Sequence, residues 1–267
     1  MQIIDEREAP PEPGTARIAA METTTCALRE CSALPTSRIA WRWRPVNIGL
    51  RKALGAATGN DARALAQRLA SALSLWRGSA VADDSRRAVA AEILGLPSGD
   101  VEVLVLSLLS HLNPEGIEWS STCPACKATQ AARYDLGAAE VEGWTGGEPP
   151  GALYALREPL RVGPLTVSVL TLRPPTHGGL YASHKGGAAN VAQLLADAIA
   201  DAVTGTDAPG LGRLPPAAVD DLGDADAFAL DRTLQAISLS VKGSTETTCA
   251  KCGHSVSTPI RAMKGVF

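Results

Sequence analysis

The run TCPACK at residues 122–127 and the run TTCAKCG at residues 247–253 decide how this chain is read. Each holds two cysteines separated by two residues, the C-x-x-C knuckle that turns both thiolates toward one point. A four-coordinate metal needs two such knuckles, and each is half a site. Both first cysteines follow a Thr, and Lys127 and Gly253 stand where the chain must turn back. The expected ligand set is therefore Cys123, Cys126, Cys249 and Cys252 on one structural zinc. Two separate sites, or thiol redox chemistry, are the alternatives.

Outward from the first knuckle, IEWSSTCPACKATQAARYDL (117–136) reads as strand, knuckle and returning strand, half of a zinc ribbon. It follows VEVLVLSLLSHL (101–112), an apolar helix capped at Asp100 and stopped by NPEG. Laying one knuckle on the other sets Leu108 opposite Leu234, His111 opposite Ile237 and Tyr134 opposite Ile260. The expectation is an α+β fold of two related helix-strand-knuckle half-units, joined through a shared four-cysteine zinc ribbon. The long intervening chain is no obstacle, because loop-closure entropy grows only logarithmically with length. An all-thiolate shell leaves no open coordination position, so such a metal is a staple and not a catalyst.

The remaining patterns give an expected organisation. Residues 1–36 read as a Glu- and Pro-bearing tail, 37–142 as a first half, 143–159 as a linker containing GWTGGEPPG, and 160–267 as a second half. Cys26 and Cys31, with four residues between them, are spaced too loosely for a knuckle and are expected as plain thiols outside the metal site. Leu65, Leu69, Ala72, Leu73 and Trp76 fall on one helical face, with Asn60 or Asp61 as cap and Gly78 as stop. A further helix is expected from Asp84 to Leu96. In the second half, Leu165, Val167 and Val169 alternate as in a strand or hairpin, and Val191, Leu194, Leu195, Ala198, Ile199 and Ala202 form an amphipathic helix that Asn190 could cap. Another helix is expected from about Asp226.

Trp41 and Trp43 alternate with Arg42 and Arg44 as strand neighbours do, aromatic on one face and basic on the other. These four residues are the candidate partner-binding group, since Trp and Arg are typical anchors. The competing reading places the Trp face in the core.

A search for enzyme chemistry finds little. His111, His177, His184 and His254 form no H-E-x-x-H, no G-x-S-x-G occurs, and GGLYASHKGG fails the phosphate-loop pattern. VDDLGDADAF (219–228) lacks the closing Glu of a calcium loop and reads as helix-capping carboxylates. The expectation is a non-enzyme with no small-molecule substrate.

LTLRPPTHGGLYA (170–182), VDDLGDADAFALDRTLQAI (219–237), TTCAKCG and, in the first half, SLLSHLNPEGIEWSSTCPACKATQAARYDL (107–136) resemble the baseplate hub assembly chaperone family of T-even-type contractile-tail phages. That family has relatives in phage-tail-like contractile injection systems. The resemblance implies an assembly or structural role at a baseplate or hub, with hub or wedge proteins as partners. It carries over Cys123, Cys126, Cys249 and Cys252 as metal ligands. The Trp-Arg segment and the N-terminal tail have no counterpart in it.

Composition narrows the alternatives. With 267 residues, 45% hydrophobic and 20% charged, the chain can bury one or two cores, and aromatics at 4% leave Leu, Val, Ile and Ala to fill them. The net charge of -3 disfavours broad attraction to nucleic acid or anionic membrane. The rival function is a zinc-ribbon nucleic-acid binder using Lys127, Arg133, Lys242 and Lys251 on phosphates. No run of roughly eighteen apolar residues and no basic-then-apolar N-terminus occurs, which sets the expectation of a cytoplasmic protein or a component of an assembled particle.

Overall fold

The computed structural model describes residues 10–18, 23–56, 61–144, 151–183, 191–203, 212, 214–239, 241–242 and 244–259. The fold is α+β, built on two apolar cores and a small cluster of sulfurs.

The first core collects strands β1 (Ala16–Ile18), β2 (Thr23–Ala27) and β3 (Trp41–Trp43) only in part, since β1 leaves it for the second. Helices α1 (Ile48–Ala56) and α2 (Ala62–Ala72) follow, then β4 (Leu73–Trp76), β5 (Ser79–Ala80), α3 (Arg86–Leu94) and α4 (Ser98–Leu112). Helix α4 runs through the middle, with Val101, Val103 to Leu106, Leu108 and Leu109 all buried. After it come the hairpin β6 (Ile117–Thr122) and β7 (Thr129–Tyr134), and then β8 (Glu140–Trp144). Gly116 makes the turn into β6 at φ +94, where a Cβ would lie 2.7 Å from the Tyr134 carbonyl oxygen.

The second core is built by the antiparallel pair β9 (Ala152–Val162) and β10 (Leu165–Leu172), helices α5 (His177–Ser183) and α6 (Val191–Ala198), β11 (Ile199–Val203), and helices α7 (Pro216–Val219) and α8 (Asp224–Ile237). Leu230, Leu234 and Ile237 seat α8 in it. The chain closes with β12 (Val241–Lys242), β13 (Ser244–Thr248) and β14 (Ser255–Pro259).

The cores exchange strands. β1 pairs with β9 in the sheet β1-β9-β10-β11, while β12 returns to pair with β8 in the sheet β12-β8-β2. Val241 accordingly packs in the first core. At the junction, the His177 amide donates to the Leu96 carbonyl (2.8 Å) and the Ser98 amide to the Pro175 carbonyl (2.9 Å).

Several sequence expectations change. Within the segment read as a tail, Ala16–Ile18 and Thr23–Ala27 are strands and Leu28 and Leu34 are buried, because β9 and β8 offer open edges to pair with. Residues 1–9 lie outside the described residues. Of the linker expected over 143–159, Ala152 onward is strand β9, and 145–150 lie outside the described residues. The helix expected to reach Gly78 stops at Ala72, and Leu73–Trp76 pairs with Trp41–Trp43 instead. Asp61 is its cap, accepting the Ala64 amide at 2.7 Å. Likewise Ile199 and Ala202 belong to strand β11, drawn off the helical pattern by pairing with β10; Asn190 is outside the described residues. Cys26 and Cys31 are joined as a disulfide, their Cα atoms 6.3 Å apart, since the 3₁₀ turn Leu28–Glu30 folds the two ends together.

Asp100 also differs from expectation. It lies inside the first turn of α4, fully buried, and accepts the Thr36 and Ser37 amides at 2.8 Å each. Burial pushes its carboxyl above the ordinary range, against the pull of the Ser37 and Thr36 hydrogen bonds. Its role is to hold the 36–37 turn onto α4. Asp226 does similar work in the second core: the Tyr154 hydroxyl donates to it at 2.7 Å and the Arg157 amide at 3.2 Å. Burial and this carboxylate push the Tyr154 hydroxyl up to about 12.

Replacing Asp100 by Ala leaves two buried amide donors without an acceptor. The expected loss is about 2–4 kcal/mol of stability, read as a fall in the urea midpoint at unchanged slope.

Candidate metal centre

Each knuckle is the tip of a two-stranded hairpin, β6–β7 for the first and β13–β14 for the second. The two tips share one hydrogen-bond pattern. The Cys123 amide donates to the Ala128 carbonyl (2.9 Å) and the Lys127 amide to the Cys123 carbonyl (2.9 Å); the Cys249 amide donates to the His254 carbonyl (2.9 Å) and the Gly253 amide to the Cys249 carbonyl (2.8 Å). Both loops turn back through a left-handed residue, Lys127 at φ 58 and Gly253 at φ 74. Lys127 bears the steric cost of that conformation, whereas Gly253 does not.

The tips meet face to face. Cys123 Sγ lies 3.7 Å from Cys252 Sγ, and Cys126 Sγ lies 3.6 Å from Cys249 Sγ. All four sulfurs fall within 4.8 Å of one another. A tetrahedron of thiolates about 2.3 Å from a central zinc has edges of about 3.8 Å, so this spacing fits a single ion. Cys123 and Cys249 are buried, with Val256 and Ala128 packed against the sulfurs, while Cys252 is exposed. Gln130 Nε2 donates to Thr247 Oγ1 at 3.3 Å and ties the two hairpins beside the cluster.

Neighbouring amides and sulfurs shift two of the thiols in opposite directions. Cys249 is lowered to about 7, first by the Lys251 amide and then by the Cys252 amide. Cys252 receives the His254 amide, which favours its thiolate, yet it is pushed up to about 12 by the Cys126 sulfur, partial desolvation and the Cys123 and Cys249 sulfurs. Negative charge gathered on one sulfur opposes charge on the next, a repulsion that a proton on a thiol or a cation at the centre relieves.

The other candidate residues lie elsewhere. His254 is exposed and stands outside the sulfur cluster, contributing its backbone. Arg133, a candidate phosphate contact, pairs with Glu118 (3.1 Å) and lies 3.9 Å from Glu115. Lys127 and Lys251 are exposed. Trp43 is buried in the first core, its indole N–H donating to Ser107 Oγ at 2.9 Å. Arg44 donates to the Ser71 carbonyl at 3.3 Å. Of the four residues in the Trp-Arg group, only Arg42 is fully exposed, and Trp41 is half-buried at the edge of a cleft of about 320 Å³. The calcium-like run spans the end of α7, the turn after it and the start of α8, with Asp226 buried and hydrogen-bonded.

Sequence reasoning missed two groups that position the site and core: Gln130 with Thr247, and Asp100 with residues 36–37. Neither pair shows a sequence signal, because the partners are joined only by folding. Among the described residues no helix is long and apolar enough to cross a membrane. Comparison with protein-family models, curated proteins and solved structures finds no significant match to the chain.

The two left-handed turn residues allow a paired test. Gly253→Val should weaken metal retention by about 1–2 kcal/mol, roughly tenfold in a chelator competition, while Lys127→Gly should leave it unchanged or tighten it.

Proposed function

We propose that this chain is a non-catalytic assembly adaptor whose two knuckle hairpins are stapled by one structural zinc. The observation that carries the reading is the meeting of four cysteine sulfurs from two hairpins, in facing pairs 129 and 123 residues apart in sequence, at spacings that suit one tetrahedral ion. Four thiolates fill the shell, so the metal holds no reactive water and its contribution is rigidity. A soft all-sulfur tetrahedron suits zinc or iron, and the closed shell of a structural staple is the common use of zinc. The paired helix-strand-knuckle order, α4 with β6–β7 and α8 with β13–β14, supports reading the halves as related units.

The setting rests on the resemblance to baseplate hub assembly chaperones. In that setting a locked scaffold offers pre-formed surfaces to hub or wedge proteins, which lowers the ordering cost of docking. The exposed Arg42 and half-buried Trp41 are the part of the Trp-Arg group that remains available for such a contact.

Elemental mass spectrometry on the purified chain should find one zinc per molecule, lost equally in Cys249→Ser and Cys123→Ser, with a large fall in Tm on chelation. Metal retained after Cys249→Ser would break the shared site, and an iron-thiolate colour would change the metal. Deleting the coding sequence in its native producer and imaging sheathed particles tests the setting: normal particles would remove the baseplate role while leaving the zinc staple intact.

A further inference from the structure

Helix α8 has two faces of different character. Leu230, Leu234 and Ile237 point into the second core. Asp224, Phe228 and Asp231, at i, i+4 and i+7, form a stripe on the other side. Phe228 is 73% exposed, an unusual position for a large apolar ring in a chain that has only two Phe residues. Beside it runs a groove of about 490 Å³ between α6, the end of α7 and α8, floored by Leu194, Leu195 and Val219. Among the described residues, the ionisable groups lining that groove are Asp220, Asp224 and Asp231, all acidic.

We propose that this groove is a docking site for a cationic amphipathic segment of a partner protein. Apolar side chains of the segment cover Phe228 and enter the groove over Leu194 and Leu195, while its Lys or Arg residues reach the three carboxylates at the rim. Charge complementarity selects the occupant, because an apolar slot whose described ionisable lining is three carboxylates repels acidic segments and gives neutral ones no charged rim contact. The spacing on α8 suits a helix laid alongside it, with anchors repeating at the same interval. This surface stands apart from the sulfur cluster, so its test is independent of the metal.

The test uses the full chain and a short fluorescent peptide alternating leucine pairs with lysine pairs, followed by anisotropy. Binding should saturate, weaken about tenfold or more in Phe228→Ala, and lose salt dependence in the double variant Asp224→Asn with Asp231→Asn. A peptide of equal charge in which Gly replaces Leu should not bind. All substituted side chains are exposed, and equal zinc content across the variants checks that they fold. The proposal is overturned if the peptide fails to bind, if Phe228→Ala leaves its affinity unchanged, or if the Gly peptide binds equally well. A wild-type dimer that Phe228→Ala makes monomeric would assign the groove to a second copy. Truncation after Pro259 that raises peptide affinity would assign it to the chain's own segment bearing Arg261 and Lys264. Either result overturns a partner segment as the occupant.

Discussion

Four sulfurs within 4.8 Å of one another, drawn from hairpin tips distant in sequence, are the constraint on which the candidate site depends. An isolated two-stranded hairpin is marginal in water, and among the described residues the apolar support at these tips is Val256 and Ala128 beside the cysteines. Thiolates this close repel one another unless protons or a cation offset their charge. With little apolar burial among the described residues at the tips, a cation held by the four sulfurs would supply the attraction. The backbone is already shaped for it, since both loops present the same amide-to-carbonyl pattern around their first cysteine.

The rest of the chain reinforces the joint that the knuckles make. β1 crosses into the second core and β12 crosses back to the first, so neither core is complete from one contiguous stretch. Buried carboxylates fix the pieces in place: Asp100 holds the 36–37 turn on α4, and Asp226 holds α8 against Tyr154 and Arg157. Each exchanges water for fixed amide or hydroxyl donors, which is what makes a buried carboxyl tolerable. The resulting scaffold has its four-sulfur cluster at one place and the exposed side chains of Phe228 and Arg42 on separate elements.

The knuckles were legible because their chemistry is local: two cysteines, a turn residue and flanking strands carry the signal within a few positions. Helix α4 was legible for a similar reason, as an apolar run of sufficient length ending at NPEG. The patterns that failed were those in which pairing outweighed periodicity. Leu73 and Trp76 continue the face of α2, yet β3 claims them; Ile199 and Ala202 continue α6, yet β10 claims them. Apolar residues satisfy either geometry, and the backbone follows whichever neighbour offers hydrogen bonds and burial.

By itself the sequence determined that the chain is α+β, that its cysteines at 123, 126, 249 and 252 form two matched knuckles, and that Gly253 and Lys127 turn them. The tertiary structure alone decided which segments meet. It brought the two knuckles face to face, exchanged β1 and β12 between the cores, buried Trp43 while leaving Phe228 on the surface, and turned Asp100 from a cap of its own helix into the anchor of a distant turn. The physical reason is that spacing along the chain encodes local geometry, whereas burial and hydrogen-bond pairing are settled only once every competing partner is present.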